Sequence, residues 1–103
     1  MTLTSKERAA LRAEAHHLTA LVHVGQHGLS ETVIESLRDA LRTHELVKVQ
    51  LGRQAEISSR EAAETLATAT RADIVQVIGK TATFYLENSD IDRKRGDSPP
   101  WRR

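Results

Sequence analysis

Gly25 and Gly28, separated by Gln26 and His27, form the spacing in this chain best suited to holding an anion. Two glycines let the backbone approach a phosphate with no Cβ in the way, and a helix starting just after them adds free amides and a positive dipole end. A plain strand-to-helix turn that needs positive φ uses the same residues, so the spacing alone leaves both readings open. Cations stand at Lys6, Arg8, Arg12, Lys48 and Lys80. Arg8 and Arg12 are four apart and share a helix face, with Lys6 off it; Glu7 and Glu14 interleave, so spacing alone describes a solvated helix surface. His16, His17, His23 and His27 cluster in sequence, but without cysteine or a spacing that fixes a tetrahedral set they do not make a metal site. His16 is expected to end a first helix and His27 to donate to a phosphate. His44 is expected near the end of a second helix, where the dipole favours its cationic form.

Other candidate chemistry fails on context. Gly79-Lys80-Thr81 resembles the end of a Walker motif, yet it joins two strand-like runs and lacks the upstream glycine and the following helix. The serines sit at helix starts, where capping accounts for them, and no carboxylate lies in an apolar run that would perturb it. The chain therefore reads as a non-enzyme with no cofactor and no metal. Tyr85 alternates with Phe84, so it faces the opposite side of its strand, where a base can stack on it. One Phe, one Tyr and one Trp exclude a sheet carrying several stacking aromatics.

These residues need elements to position them. Thr4-Ser5-Lys6-Glu7 has capping-box spacing and opens a first helix, with Leu11, Ala15 and Leu18 on one side. Ala20–Val24 alternates as a mostly buried strand, and Gly25–Gly28 interrupts it. Ser30 caps a second helix whose stripe is Val33, Ile34, Leu37, Ala40 and Leu41. Leu46–Leu51 is a strand with Val47, Val49 and Leu51 on one face, closed by Gly52. Ser58-Ser59-Arg60-Glu61 repeats the capping-box spacing and starts an alanine-rich third helix that can pack closely on a sheet. Ile74–Ile78, the turn Gly79-Lys80 and Ala82–Leu86 read as a hairpin. The order α-β-α-β-α-β-β implies an α+β domain over residues 1–87, with three helices and a four-stranded mixed sheet. Residues 88–103 offer no face to bury and read as a disordered basic tail.

Composition sets outer bounds. One hundred and three residues are enough for a single cored domain and too few for two. Leu, Ile, Val and Phe make up about 23% of the chain, just above the range where disorder sets in. Zero cysteines leave no disulfide to supplement that core and suit a reducing compartment. The first residues show no signal-peptide run, and no segment has the length of a membrane span, so a cytoplasmic monomer is expected. Fifteen Lys and Arg oppose fourteen Asp and Glu, for a net charge of +1. Residues 1–88 carry ten basic and eleven acidic groups, and residues 89–103 carry five and three. A body this close to neutral binds a polyanion through placed cations and local geometry, with no strong overall field.

Several motifs in order carry a resemblance to a family: Leu3-Thr4-x-Lys6, Ala15-His16, Val22-x-Val24-Gly25-x-x-Gly28-Leu29, His44-Glu45-Leu46-Val47-Lys48-Val49 and Gln76-Val77-Ile78-Gly79-Lys80-Thr81. Over residues 3–86 the chain resembles the CRM domain (chloroplast RNA splicing and ribosome maturation), in particular its stand-alone bacterial YhbY-type members. The resemblance implies a fold similar to the C-terminal domain of translation initiation factor three. It also implies an RNA-binding factor associated with ribosomal RNA of large-subunit (pre-50S) precursors, acting in ribosome assembly. The implied site is the GxxG loop Gly25, Gln26, His27 and Gly28, acting like the KH-domain loop that clamps an RNA backbone. Lys6, Arg8 and Arg12 correspond to a basic surface of the first helix, and Lys48 and Lys80 sit in matching motifs. The chain departs from the pattern at Gln26, where a Lys is frequent, at Ala20, a usual Pro, and at Leu86, a common Arg. Two phosphate contacts are then missing, and weaker, more shape-dependent RNA binding is expected. The alternative is a protein-interaction adaptor docking on a ribosomal protein, whose binding, unlike RNA binding, would persist as salt rises.

Overall fold

A computed structural model describes residues 4–25, 29–52 and 58–87. The elements run α1 (Ser5–Ala15), β1 (Val22–His23), α2 (Glu31–His44), β2 (Leu46–Gln50), α3 (Ser59–Thr70), β3 (Asp73–Ile78) and β4 (Thr81–Tyr85), in the expected order. The strands form one sheet in the order β1-β2-β4-β3, with β1 parallel to β2 and the other pairs antiparallel. Helices α2 and α3 cover one face and α1 covers part of the other. The fold is thus the α+β arrangement of three helices and a four-stranded mixed sheet.

Local chemistry explains most of the boundaries. The Thr4 hydroxyl accepts from the Glu7 amide at 3.0 Å, and the Thr4 amide donates to Glu7 Oε1 at 3.0 Å, completing the capping box. Helix α1 ends at His16, as its position suggested. Ser30 accepts from the Val33 amide at 3.3 Å, and Ser58 from the Glu61 amide at 3.1 Å. Helix α2 passes into β2 through the single residue Glu45, at φ 62°. Gly79 takes φ 55° in the β3–β4 turn, where a side chain would be strained.

The main core lies between the sheet and α2/α3. Leu37, Leu41 and Leu66 from the helices meet Val47, Val49, Leu51 and Phe84 from the strands, and Ala62 and Ala63 permit the close helix approach. A satellite cluster on the other face joins Leu11 and Ala15 of α1 to Leu46, Val75 and Tyr85. This small contact makes α1 sensitive to its cap. Thr4→Ala is expected to cost about 1 kcal/mol and to lower the thermal midpoint by about 4–8 °C. A midpoint unchanged in calorimetry would mean that α1 lies outside the cooperative unit.

Three expectations are corrected. Strand β1 is a two-residue edge ladder; Ala20 lies outside it and Leu21 is exposed, although the Leu21 amide reaches the Lys48 carbonyl at 3.1 Å and Val24 reaches Gln50 at 2.9 Å. Leu18 does not continue the buried stripe of α1, because the helix has already ended and the side chain is exposed. Tyr85 faces away from Phe84 as expected, but α1 covers that face; its ring is buried at 2% exposure and no base can stack on it. Residues 88–103, the proposed tail, lie outside the described residues.

Candidate nucleic-acid interface

The sheet topology gathers three connections at one end. β1 runs into Gly25 and the parallel strand β2 runs into Gly52, while β4 starts beside the end of β2. The β3–β4 turn at Gly79 and Lys80 therefore falls at the same end. The Leu51 amide donates to the Lys80 carbonyl at 2.6 Å, fixing the turn against the exit of β2. The carboxyl ends of parallel strands, with the N-termini of the helices that follow them, are where open α/β sheets receive ligands. Here α2 and α3 both start from that end, although Glu31 and Glu61 in their first turns offset part of the favourable dipole.

The glycines at this end have different physical reasons. At Gly52 a Cβ would stand 2.6 Å from the Val24 carbonyl oxygen, and the Gly25 carbonyl oxygen would be 3.6 Å away. The bare backbone of Gly52 is thus the floor under the root of the Gly25 loop. The sequence showed Gly52 as a strand terminator; its supporting role depends on a contact between β1 and β2 that no local signal carries. Gly25 is exposed, its φ is not in the left-handed region, and no described atom comes within 4 Å of a Cβ built there. Neither turn geometry nor packing against the described residues calls for glycine at that position. Gln26, His27 and Gly28 lie outside the described residues.

The cations do not form one cluster. Lys80 is exposed beside the Gly25 end, whereas α1 packs on Leu46 and Tyr85 at the other end of the sheet. Leu46 and Gln50 are four residues apart, a separation of about 13 Å along β2. Lys48 lies between them, half-buried on the α1 side. On α1 itself Lys6 and Arg12 are exposed and Arg8 is half-buried. Arg8 and Arg12 flank the buried stripe on one side, and Glu7 and Glu14 flank it on the other, as 3.6 residues per turn requires. Among the described residues the ion pairs are Arg42–Asp39 at 3.6 Å and Arg60–Glu64 at 3.5 Å, both along α2 or α3. None engages Lys6, Arg8, Arg12, Lys48 or Lys80 with a described carboxylate. The same face also presents His23, Gln50 and Thr81 in one cross-strand row of groups that can hydrogen-bond.

Among the described residues no group of three or more His, Cys, Asp or Glu is placed to hold a metal ion. No helix of the described chain is long and apolar enough to cross a membrane.

Three helices on a mixed four-stranded sheet, with β1 running into Gly25 and its parallel neighbour β2 into Gly52 at one end, define a small α+β domain. The chain belongs to the CRS1/YhbY (CRM) domain family, whose model matches residues 3–85. It is 36% identical over 88 residues to the "Probable RNA-binding protein YqeI" of Bacillus subtilis, covering 85% of this chain and 92% of that protein. It is 33% identical over 89 residues to an RNA-binding protein of Haemophilus influenzae, covering 86% of this chain and 90% of the relative. The solution structure of a Staphylococcus aureus protein, described as a candidate RNA-binding protein, superposes with a TM-score of 0.74 at 34% identity. The match covers 95% of this chain and 100% of that one.

Proposed function

We propose that this protein is a non-enzymatic RNA-binding factor that associates with ribosomal RNA of large-subunit precursors and acts in ribosome assembly. The observation that carries the reading is Gly25: a glycine that neither backbone conformation nor described packing requires, at the converging end of the sheet. Its purpose is then close approach of a phosphate to backbone amides of the 25–28 loop. Lys80 stands beside that end, and Lys48, Lys6, Arg8 and Arg12 supply attraction farther along the same molecule. Membership of the family and the RNA-binding relatives support the RNA partner; the large-subunit precursor is the finer part of the proposal. Recognition is by backbone and shape, since the one sheet aromatic suited to stacking is buried.

The test replaces Gln26 and His27 together by Asp. Two carboxylates at the phosphate position repel the backbone, so retention on pre-50S particles in gradient sedimentation should fall at least tenfold, with the thermal midpoint unchanged. Unchanged co-sedimentation overturns the loop assignment. For the wild type, affinity for rRNA fragments should fall linearly in log–log form as salt rises, the signature of phosphate contacts.

A further inference from the structure

A second feature on the α1 side of the sheet is a concavity of about 290 Å³ at the β1 edge, between the end of α1, the link to β1 and the start of β2. Its lining includes Leu18 and Leu21, with His17, His44, Lys48 and Glu14 around them. Leu18 and Leu21 are 37% and 53% exposed, and among the described residues Ile78 alone joins them as a large apolar side chain this open to solvent. The two leucines give the concavity an apolar wall with a lysine beside it.

We propose that this concavity is a pocket for the base of one unpaired RNA nucleotide, which rests on the RNA-binding reading above and adds a subsite to it. The volume lies at the lower edge of the range for small-molecule sites, so it suits a single ring system and not an extended ligand. An unstacked base brings a flat apolar face to Leu18 and Leu21, and the imidazoles of His17 and His44 offer further flat surfaces. Its phosphate meets the Lys48 ammonium, and its exocyclic amine, where it has one, finds an acceptor in Glu14. Lys48 is the cation of the lining, and no described carboxylate pairs with it. Position supports the same occupant. The Leu21 amide donates to the Lys48 carbonyl at 3.1 Å, and Leu21 lies immediately before β1, which leads to Gly25. Leu21 and Gly25 are four residues apart, about 13 Å along an extended chain. A backbone clamped at the 25–28 loop therefore reaches the pocket within a few nucleotides.

The experiment compares two RNAs of matched sequence, a blunt duplex and the same duplex interrupted by a short unpaired stretch carrying 2-aminopurine. The wild type should bind the interrupted RNA more tightly, and the 2-aminopurine fluorescence should change on binding. Leu18→Ser combined with Leu21→Ser keeps the charge, and both positions are exposed, so the thermal midpoint should hold. This variant should lose about tenfold in affinity for the interrupted RNA, the scale of one base–side-chain contact, and stay within about twofold on the duplex. His17→Ala, outside the apolar pair, should reduce the fluorescence change and serves as the second variant. Equal effects on both RNAs, or an unaltered fluorescence response, overturn the pocket. Loss of a bound ribosomal protein with RNA affinity intact overturns it in favour of a protein contact. A wild type that binds neither RNA defeats the RNA-binding reading itself, a distinguishable failure.

Discussion

Tyr85→Ala is expected to destabilise the domain by about 3–5 kcal/mol, the cost of removing a buried aromatic ring from a site that cannot collapse. The ring is 2% exposed and forms the centre of the cluster that holds Leu11 and Ala15 of α1 against Leu46 and Val75. Small domains have total stabilities of about 5–15 kcal/mol, so the loss is a large fraction of the whole. The urea midpoint should drop by about 1 M or more. The first signal to go should be the helicity of α1, because the main core on the far face keeps Phe84, Leu37, Leu41 and Leu66. On the proposed reading, RNA affinity should fall with it, since Lys6, Arg8 and Arg12 are carried by that helix. A tyrosine that stacked on a base would behave in the opposite way, with weakened RNA binding and an unmoved urea midpoint. Urea denaturation followed by circular dichroism decides between the two.

The misreading of Tyr85 shows where sequence reasoning stops. Alternation along β4 correctly separated Phe84 from Tyr85, because a strand's period of two is a local property. What covers the second face is not local: it depends on α1 crossing to the opposite layer from α2 and α3, and the stripe of Leu11 and Ala15 looks the same on either layer. Capping residues Thr4, Ser30 and Ser58 were legible for the converse reason, since each bond closes within three residues. Leu18 was misplaced because the apolar spacing runs on past the end of α1, and a period cannot say where a helix stops. The short β1 follows from its edge position, where one parallel neighbour supplies the whole ladder. Among the candidate site residues, the Gly25-x-x-Gly28 spacing and Lys80 stand in motifs that the sequence displays. Their separation from the α1 cations by the length of β2 was not legible there, because it follows from which end of the sheet each connection joins.

That separation makes the glycines at the loop end the sharpest probe of the site, and they should respond in opposite ways. Gly52→Ala should be destabilising by about 1–3 kcal/mol, as for an added methyl group in a filled space. The new Cβ would sit 2.6 Å from the Val24 carbonyl oxygen, a backbone atom that cannot rotate away, so β1 must lift from β2 at the point where Val24 donates to Gln50. The root of the Gly25 loop moves with it, and RNA affinity should fall by about tenfold or more even under conditions where the protein stays folded, since phosphate clamping depends on aligned amides. Gly25→Ala meets no described atom within 4 Å and no positive φ, so its stability should stay within about 0.5 kcal/mol of wild type. Its cost should appear in RNA affinity, because a methyl group stands where the phosphate must approach. Chemical denaturation and RNA titration of the two variants side by side separate support from contact. If Gly25→Ala binds RNA as the wild type does, the close-approach reading of the loop is wrong. If Gly52→Ala retains full affinity as well, the phosphate is held elsewhere on the molecule, and Lys48 with the α1 cations becomes the place to look.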